Sequence, residues 1–194
     1  MATALLYGAS SGALHAVTGP DHVLSLGPVA LKRPGRSFQV GLTWGVGHPL
    51  GTLLLALPLL LSSRLVHLPT LAGLGDRLAG LALLAMASWS LWSARRHSAR
   101  AAADTRSPFL VGTLHGATGA GGLLLVVPML LGAELSHALA FLLTFSLGSS
   151  LAMACLTAAI GKLGSKLGHA LIGKAQLWLG VGSILVGATW LLGL

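Results

Sequence analysis

The sequence predicts an all-α polytopic membrane protein with six transmembrane helices arranged as two inverted three-helix repeats. Only 8% of its 194 residues are charged and 54% are hydrophobic, with a mean hydropathy of +0.84. A soluble domain carries about 25% charged residues, so this chain has too few to cover a water-facing surface. Apolar stretches of roughly twenty residues recur six times along it, each long enough to cross a ~30 Å hydrocarbon layer as a helix. A motif in the first stretch returns 100 residues later.

The stretches cover residues 3–30, 38–61, 71–92, 108–132, 136–160 and 170–193. Helix is the expected conformation of each, because a lone strand in lipid leaves backbone groups unpaired. The 27 glycines fit close helix packing in lipid, where small residues let backbones approach. The first stretch lacks a positively charged leader and runs straight into the most polar motif of the chain, so it is not expected to be a removable signal peptide. Connections are short apart from residues 93–107, which hold Arg95, Arg96, His97, Arg100, Asp104 and Arg106.

Alternating six spans puts the loops at 31–37, 93–107 and 161–169 on one side. That side, with Lys174 just inside the last span, holds ten basic residues: Lys32, Arg33, Arg36, Arg95, Arg96, Arg100, Arg106, Lys162, Lys166 and Lys174. The opposite side holds only Arg64 and Arg77, with Asp76 and Glu134. Cytoplasmic loops carry the excess of Lys and Arg, so both termini are expected outside a cell (inner) membrane and residues 93–107 form a basic cytoplasmic loop.

Shifting the chain by 100 residues lays Gly12-Ala-Leu-His-Ala-Val-Thr-Gly19 on Gly112-Thr-Leu-His-Gly-Ala-Thr-Gly119. Seven of 17 positions between 12–28 and 112–128 are identical, where chance in a chain of this composition gives roughly two. A weaker echo sets Gly47-His48-Pro49-Leu50 against Gly148-Ser149-Ser150-Leu151, with one inserted residue. Residues 1–92 and 108–194 then form the two repeats. Three helices per repeat is an odd number, so the halves sit in opposite orientations, an architecture of secondary transporters. A duplicated scaffold without a transport role is the simpler alternative.

Charge inside an apolar span needs a reason, and Asp21 in His15-Ala-Val-Thr-Gly-Pro-Asp-His22 is such a charge. Gly19 tolerates unusual dihedrals and Pro20 lacks an N–H, so the first span is expected to break at Thr18–Pro20, with Pro20 opening a second half-helix and Asp21 at its positive end. An unbroken helix would hold His15 and His22 on one face ~10 Å apart; the break can bring them and Asp21 to one point. Two imidazoles and a carboxylate suit a divalent transition metal. Structural pairing between helices is the alternative. His48, beside Pro49 in the Gly-rich Trp44-Gly-Val-Gly-His48 of the second span, is a candidate third imidazole.

His115 is the repeat mate of His15 and a candidate extra ligand, although the second repeat reads Thr118-Gly-Ala-Gly-Gly122 where the first carries Pro20, Asp21 and His22. The second half is therefore expected to line or gate the site. His67, His97, His137 and His169 fall near loops, and Trp89, Trp92, Trp178 and Trp190 fit lipid-facing or interfacial positions.

His15-Ala-Val-Thr-Gly-Pro-Asp-His22-Val together with Trp44-Gly-Val-Gly-His48 resembles the nickel/cobalt transporter superfamily, nearest its Gly-Pro-Asp-His branch of plant-type nickel permease relatives and urease-accessory-type membrane proteins. The resemblance covers the first two spans, and the second repeat only through Leu114-His115-Gly116. It implies nickel or cobalt transport, with His15, Asp21, His22 and His48 as metal ligands. The better-known permeases place four residues between His and Asp where this chain has five, and are drawn with eight helices.

The function expected is secondary transport of a divalent transition metal ion, Ni²⁺ or Co²⁺, with Zn²⁺, Cu²⁺ and Fe²⁺ compatible with the same ligands. Residues 93–107 offer only His97 rather than the His-rich cytoplasmic segment common in exporters of the superfamily, which favours uptake. A non-transporting metal-binding accessory protein for metalloenzyme or haem assembly is the alternative. An enzyme is not expected: one cysteine, Cys155, excludes a dithiol relay, and Asp21-His22 fits a hydrolase poorly. The high pI of 11.3 comes from scattered loop residues without a basic helix or aromatic platform, so no nucleic-acid partner is expected. The partners expected are the lipid bilayer and the metal ion, and a homo-oligomer is compatible with the sequence.

Overall fold

The computed structural model describes residues 1–61, 77, 80–81, 83–85, 87–88, 106–118, 134–167 and 169–193. The fold is all-helical, and no strand occurs among the described residues. The helices are α1 (Ala2–Thr18), α2 (Pro20–Lys32), α3 (Ser37–Leu61), α4 (Arg106–Thr118), α5 (Leu135–Ser165) and α6 (His169–Leu192), with a short 3-10 turn at Pro34–Arg36 before α3. The described positions between 77 and 88 are helical as well.

The first apolar stretch is two helices. α1 stops at Thr18 and α2 starts at Pro20, whose missing N–H costs nothing at the first helical position. α5 runs 31 residues to Ser165, beyond the expected end at residue 160, and takes Lys162 into the helix. Gly161 and Gly164 let it continue there, because they lie against Ser37 and Leu31 and a larger side chain at either would collide. α4 begins at Arg106, inside the expected loop; residues 93–105 lie outside the described residues.

Glycines set the helix pairs. Gly8 and Gly12 of α1 press on the backbone of Phe141 and Phe145 in α5, and Gly148 of α5 presses on Ala9. Gly112 of α4 presses on Trp44 and Gly116 on His48, while Gly47 and Gly51 of α3 press on Phe109 and Thr113. Residue numbers rise together in both pairs, so α1 runs parallel to α5 and α3 parallel to α4. The two central helices oppose each other: Gly45 meets Ser150, Gly41 meets Met153 and Thr157, and Ser37 meets Gly161, so α3 is antiparallel to α5. Ser150 Oγ donates to Gly45 O at 2.6 Å across that contact. α2 packs on α6 through Gly27 and Leu179. Gly80 lies against Gly187 of α6.

The distribution of polarity is inverted relative to a water-soluble bundle. Leu6, Leu14, Leu143, Leu147, Trp178 and Leu185 are exposed, whereas His22, His48, His115, Ser149 and Thr157 are buried. Two described helices, Leu135–Ser165 and Leu171–Leu192, are long and apolar enough to cross a membrane.

Candidate metal centre

The centre is built on the break between α1 and α2. The Gly19 N–H closes the end of α1 by donating to His15 O at 3.0 Å, and the His22 N–H donates back to Gly19 O at 3.2 Å. Gly19 has φ −68° and ψ 109°, torsions that any residue adopts. Its lack of a side chain is required by space instead. A Cβ there would stand 2.6 Å from His22 Nδ1 and 2.7 Å from Asp21 Oδ1. The break puts His15 in the last turn of α1 and His22 in the first turn of α2, with ring centroids 4.9 Å apart.

α3 supplies His48. Its Nε2 lies 3.3 Å from His15 Nε2, and its ring centroid 5.1 Å from that of His22. α4 supplies His115, carried in by the close approach of Gly112 and Gly116 to the α3 backbone. His115 Nε2 lies 2.6 Å from Asp21 Oδ2, a contact between residues 94 apart in sequence. His22 Nε2 stands 3.7 Å from the same oxygen. The Asp21 carboxylate is therefore flanked by two imidazoles and sits in the first turn of α2, where the helix dipole favours negative charge.

All five side chains come together, and four are almost wholly enclosed: His22 0%, His115 1%, His48 3% and Asp21 8% exposed. Their donor atoms form two groups, His15–His22–His48 and Asp21–His22–His115, within each of which the atoms lie no more than 4.8 Å apart. Imidazole nitrogens with one carboxylate can hold a divalent transition metal. His22 Nε2, His48 Nδ1 and His115 Nδ1 are buried without a hydrogen-bond partner. Such atoms are rare in folded proteins, and those carrying a lone pair are available to a cation.

Trp44 forms a wall that sequence reasoning did not assign. Its indole stacks on His48 (centroids 5.1 Å, planes 8° apart), meets His22 edge-on at 5.5 Å, and lies 5.2 Å from His115. Its position four residues before His48, one helical turn away on the same face, was the available signal. Phe145 of α5 packs on His15 at 5.8 Å as Trp44 packs on His115. Ser149, set opposite His48 by the sequence echo, is fully buried, and its hydroxyl donates to Ser146 O at 3.2 Å within α5.

Two of the remaining histidines fall on described helices. His137 lies beside Glu134 at the start of α5, its Nδ1 3.5 Å from Glu134 Oε2. His169 is at the start of α6. His67 and His97, with Trp89 and Trp92, lie outside the described residues. Trp178 is exposed and Trp190 half-buried.

The chain is similar to two proteins of Arabidopsis thaliana. Chloroplast protein FOR GROWTH AND FERTILITY 2 is 29% identical over 174 residues, covering 81% of this chain and 46% of that protein. Chloroplast protein FOR GROWTH AND FERTILITY 1 is 28% identical over 180 residues, covering 81% of this chain and 49% of that protein. The chain thus spans about half the length of the curated relatives it matches. No family model and no solved structure matches it.

Proposed function

We propose that this chain is a multi-pass membrane protein that takes up a divalent transition metal ion, Ni²⁺ or Co²⁺, as a secondary transporter. The observation that carries the reading is the meeting of His15, Asp21, His22, His48 and His115, from four helices and both halves of the chain, in an enclosed cluster. Ionisable residues in a membrane span are costly and mark ion pathways.

A membrane setting is supported by the outward leucines and inward polar residues. The six-span, inverted-repeat reading draws support from the paired contacts: Gly12 meets Phe145 as Gly112 meets Trp44, and Gly148 meets Ala9 as Gly47 meets Phe109. The antiparallel course of α3 and α5 is what a two-fold axis in the membrane plane demands of the middle helices of two such repeats. In the inner membrane, the basic loops face the cytoplasm and both termini face outward.

In this reading the metal sheds part of its water shell for imidazole nitrogens and the Asp21 carboxylate, and rocking of the two repeats about the cluster exposes it alternately to each side. Metal binding needs deprotonated imidazoles, so uptake and proton movement are linked. Proteoliposomes holding the purified full chain should accumulate Ni²⁺ or Co²⁺, and His22→Ala should lower uptake at least tenfold. Binding without accumulation would favour the non-transporting accessory role. Absence of both would remove the metal reading altogether.

A further inference from the structure

The two donor groups share His22, and the chemistry of that one ring restricts how they can be used. His22 Nδ1 lies 3.1 Å from Ala16 O. A carbonyl oxygen can only accept, so Nδ1 carries the proton and donates. A neutral imidazole has one N–H and one nitrogen lone pair, which leaves the lone pair on Nε2. Nε2 is the buried atom without a hydrogen-bond partner. One lone pair serves one cation.

The groups also differ in readiness. His15 Nε2 and His48 Nε2 are 3.3 Å apart. Two nitrogens bound at ~2.05 Å to a tetrahedral ion stand about 3.3 Å apart, so this pair has the spacing of a ligand edge once the proton in its hydrogen bond has left the donating Nε2. Asp21 and His115 are closer, at 2.6 Å, and hold each other by a hydrogen bond that must open before both can face one ion.

We propose that the three imidazoles of His15, His22 and His48 form a receiving subsite, that Asp21, His22 and His115 form a second, and that the single lone pair of His22 makes them mutually exclusive, so one divalent cation passes from the first to the second. This rests on the metal reading above and adds its stoichiometry and order. The first subsite takes the ion with nitrogen ligands alone. Transfer then couples repositioning of the ion to opening of the Asp21–His115 contact, one of the links between the first and second halves of the chain.

The test uses the full-length protein in detergent for binding and in proteoliposomes for uptake, with Ni²⁺ and Co²⁺ as probes. The wild type should bind one ion per chain, with X-ray absorption showing imidazole nitrogen ligands. His115→Gln keeps an N–H donor for Asp21 but removes the imidazole. It should still bind one ion, with affinity within about threefold of wild type, while uptake falls at least tenfold. His15→Ala should lower binding affinity at least tenfold. Two ions per chain, or wild-type uptake by His115→Gln, would overturn the shared-ligand proposal and leave the metal reading standing. No binding of either ion by the folded wild type would sink both.

Discussion

His115 Nε2 meets Asp21 Oδ2 at 2.6 Å, joining the start of α2 to the middle of α4 across 94 residues of sequence. The Asp21 carboxylate has only a small solvent-exposed fraction, so its charge depends on this imidazole, on His22 and on the positive end of α2. The contact ties the two halves of the chain together at the cluster itself.

Removing the imidazole while leaving the charge should therefore be expensive. His115→Ala is expected to destabilise the protein by about 3 kcal/mol, since breaking a buried pair leaves an uncompensated charge. Adding Asp21→Asn should restore most of that loss. Thermal unfolding in detergent of the two single variants and the double variant measures the coupling; additive effects would show that the residues do not depend on each other.

Gly19→Ala tests the steric role of the break. The new methyl would sit within 2.8 Å of His22 and Asp21 atoms, so the ring and the carboxylate must shift. Helix content by circular dichroism should stay as in the wild type while Ni²⁺ affinity falls at least tenfold. Unchanged affinity would mean that the cluster tolerates displacement of both groups.

Gly116 probes the α3–α4 contact. Any Cβ there would collide with the backbone carbonyl of His48, which cannot move aside as a side-chain tip can. Gly116→Val should cost about 1–3 kcal/mol, the usual range for overpacking. Gly35→Ala, with nothing within 4 Å of the added Cβ, is the control and should unfold at the wild-type temperature.

Topology is accessible through two exposed positions at opposite ends of α5. In a Cys155→Ser background, Glu134→Cys should react with an impermeant thiol reagent added outside intact cells. Lys166→Cys should react only after the cells are opened. The reverse pattern would invert the orientation that the ten-to-two bias of basic residues predicts.

The break at Gly19–Pro20 was legible in the sequence because it follows from covalent chemistry: proline has no N–H to continue a helix, whatever surrounds it. The purpose of Gly19 was not. Its ordinary torsions show that space, not backbone freedom, keeps the side chain absent, and that space is filled by His22 and Asp21 folding back on it. The end of α5 was misjudged for a similar reason. Gly161 and Gly164 read as a loop, yet they continue the helix where Ser37 and Leu31 need room.

By itself the sequence determined the helical class, the interrupted first span and the residue types of the cluster, because hydropathy, proline chemistry and the scarcity of charge act through local composition. It marked His115 as the counterpart of His15 and a candidate extra ligand, without fixing which side chain it would meet. Only the tertiary structure decided that Gly112 and Gly116 bring α4 against α3, that His115 thereby reaches Asp21 rather than remaining in its own half, and that Trp44 walls the histidines. Those outcomes depend on which glycine faces meet, and a distance between helices far apart in sequence is fixed by packing rather than by either segment alone.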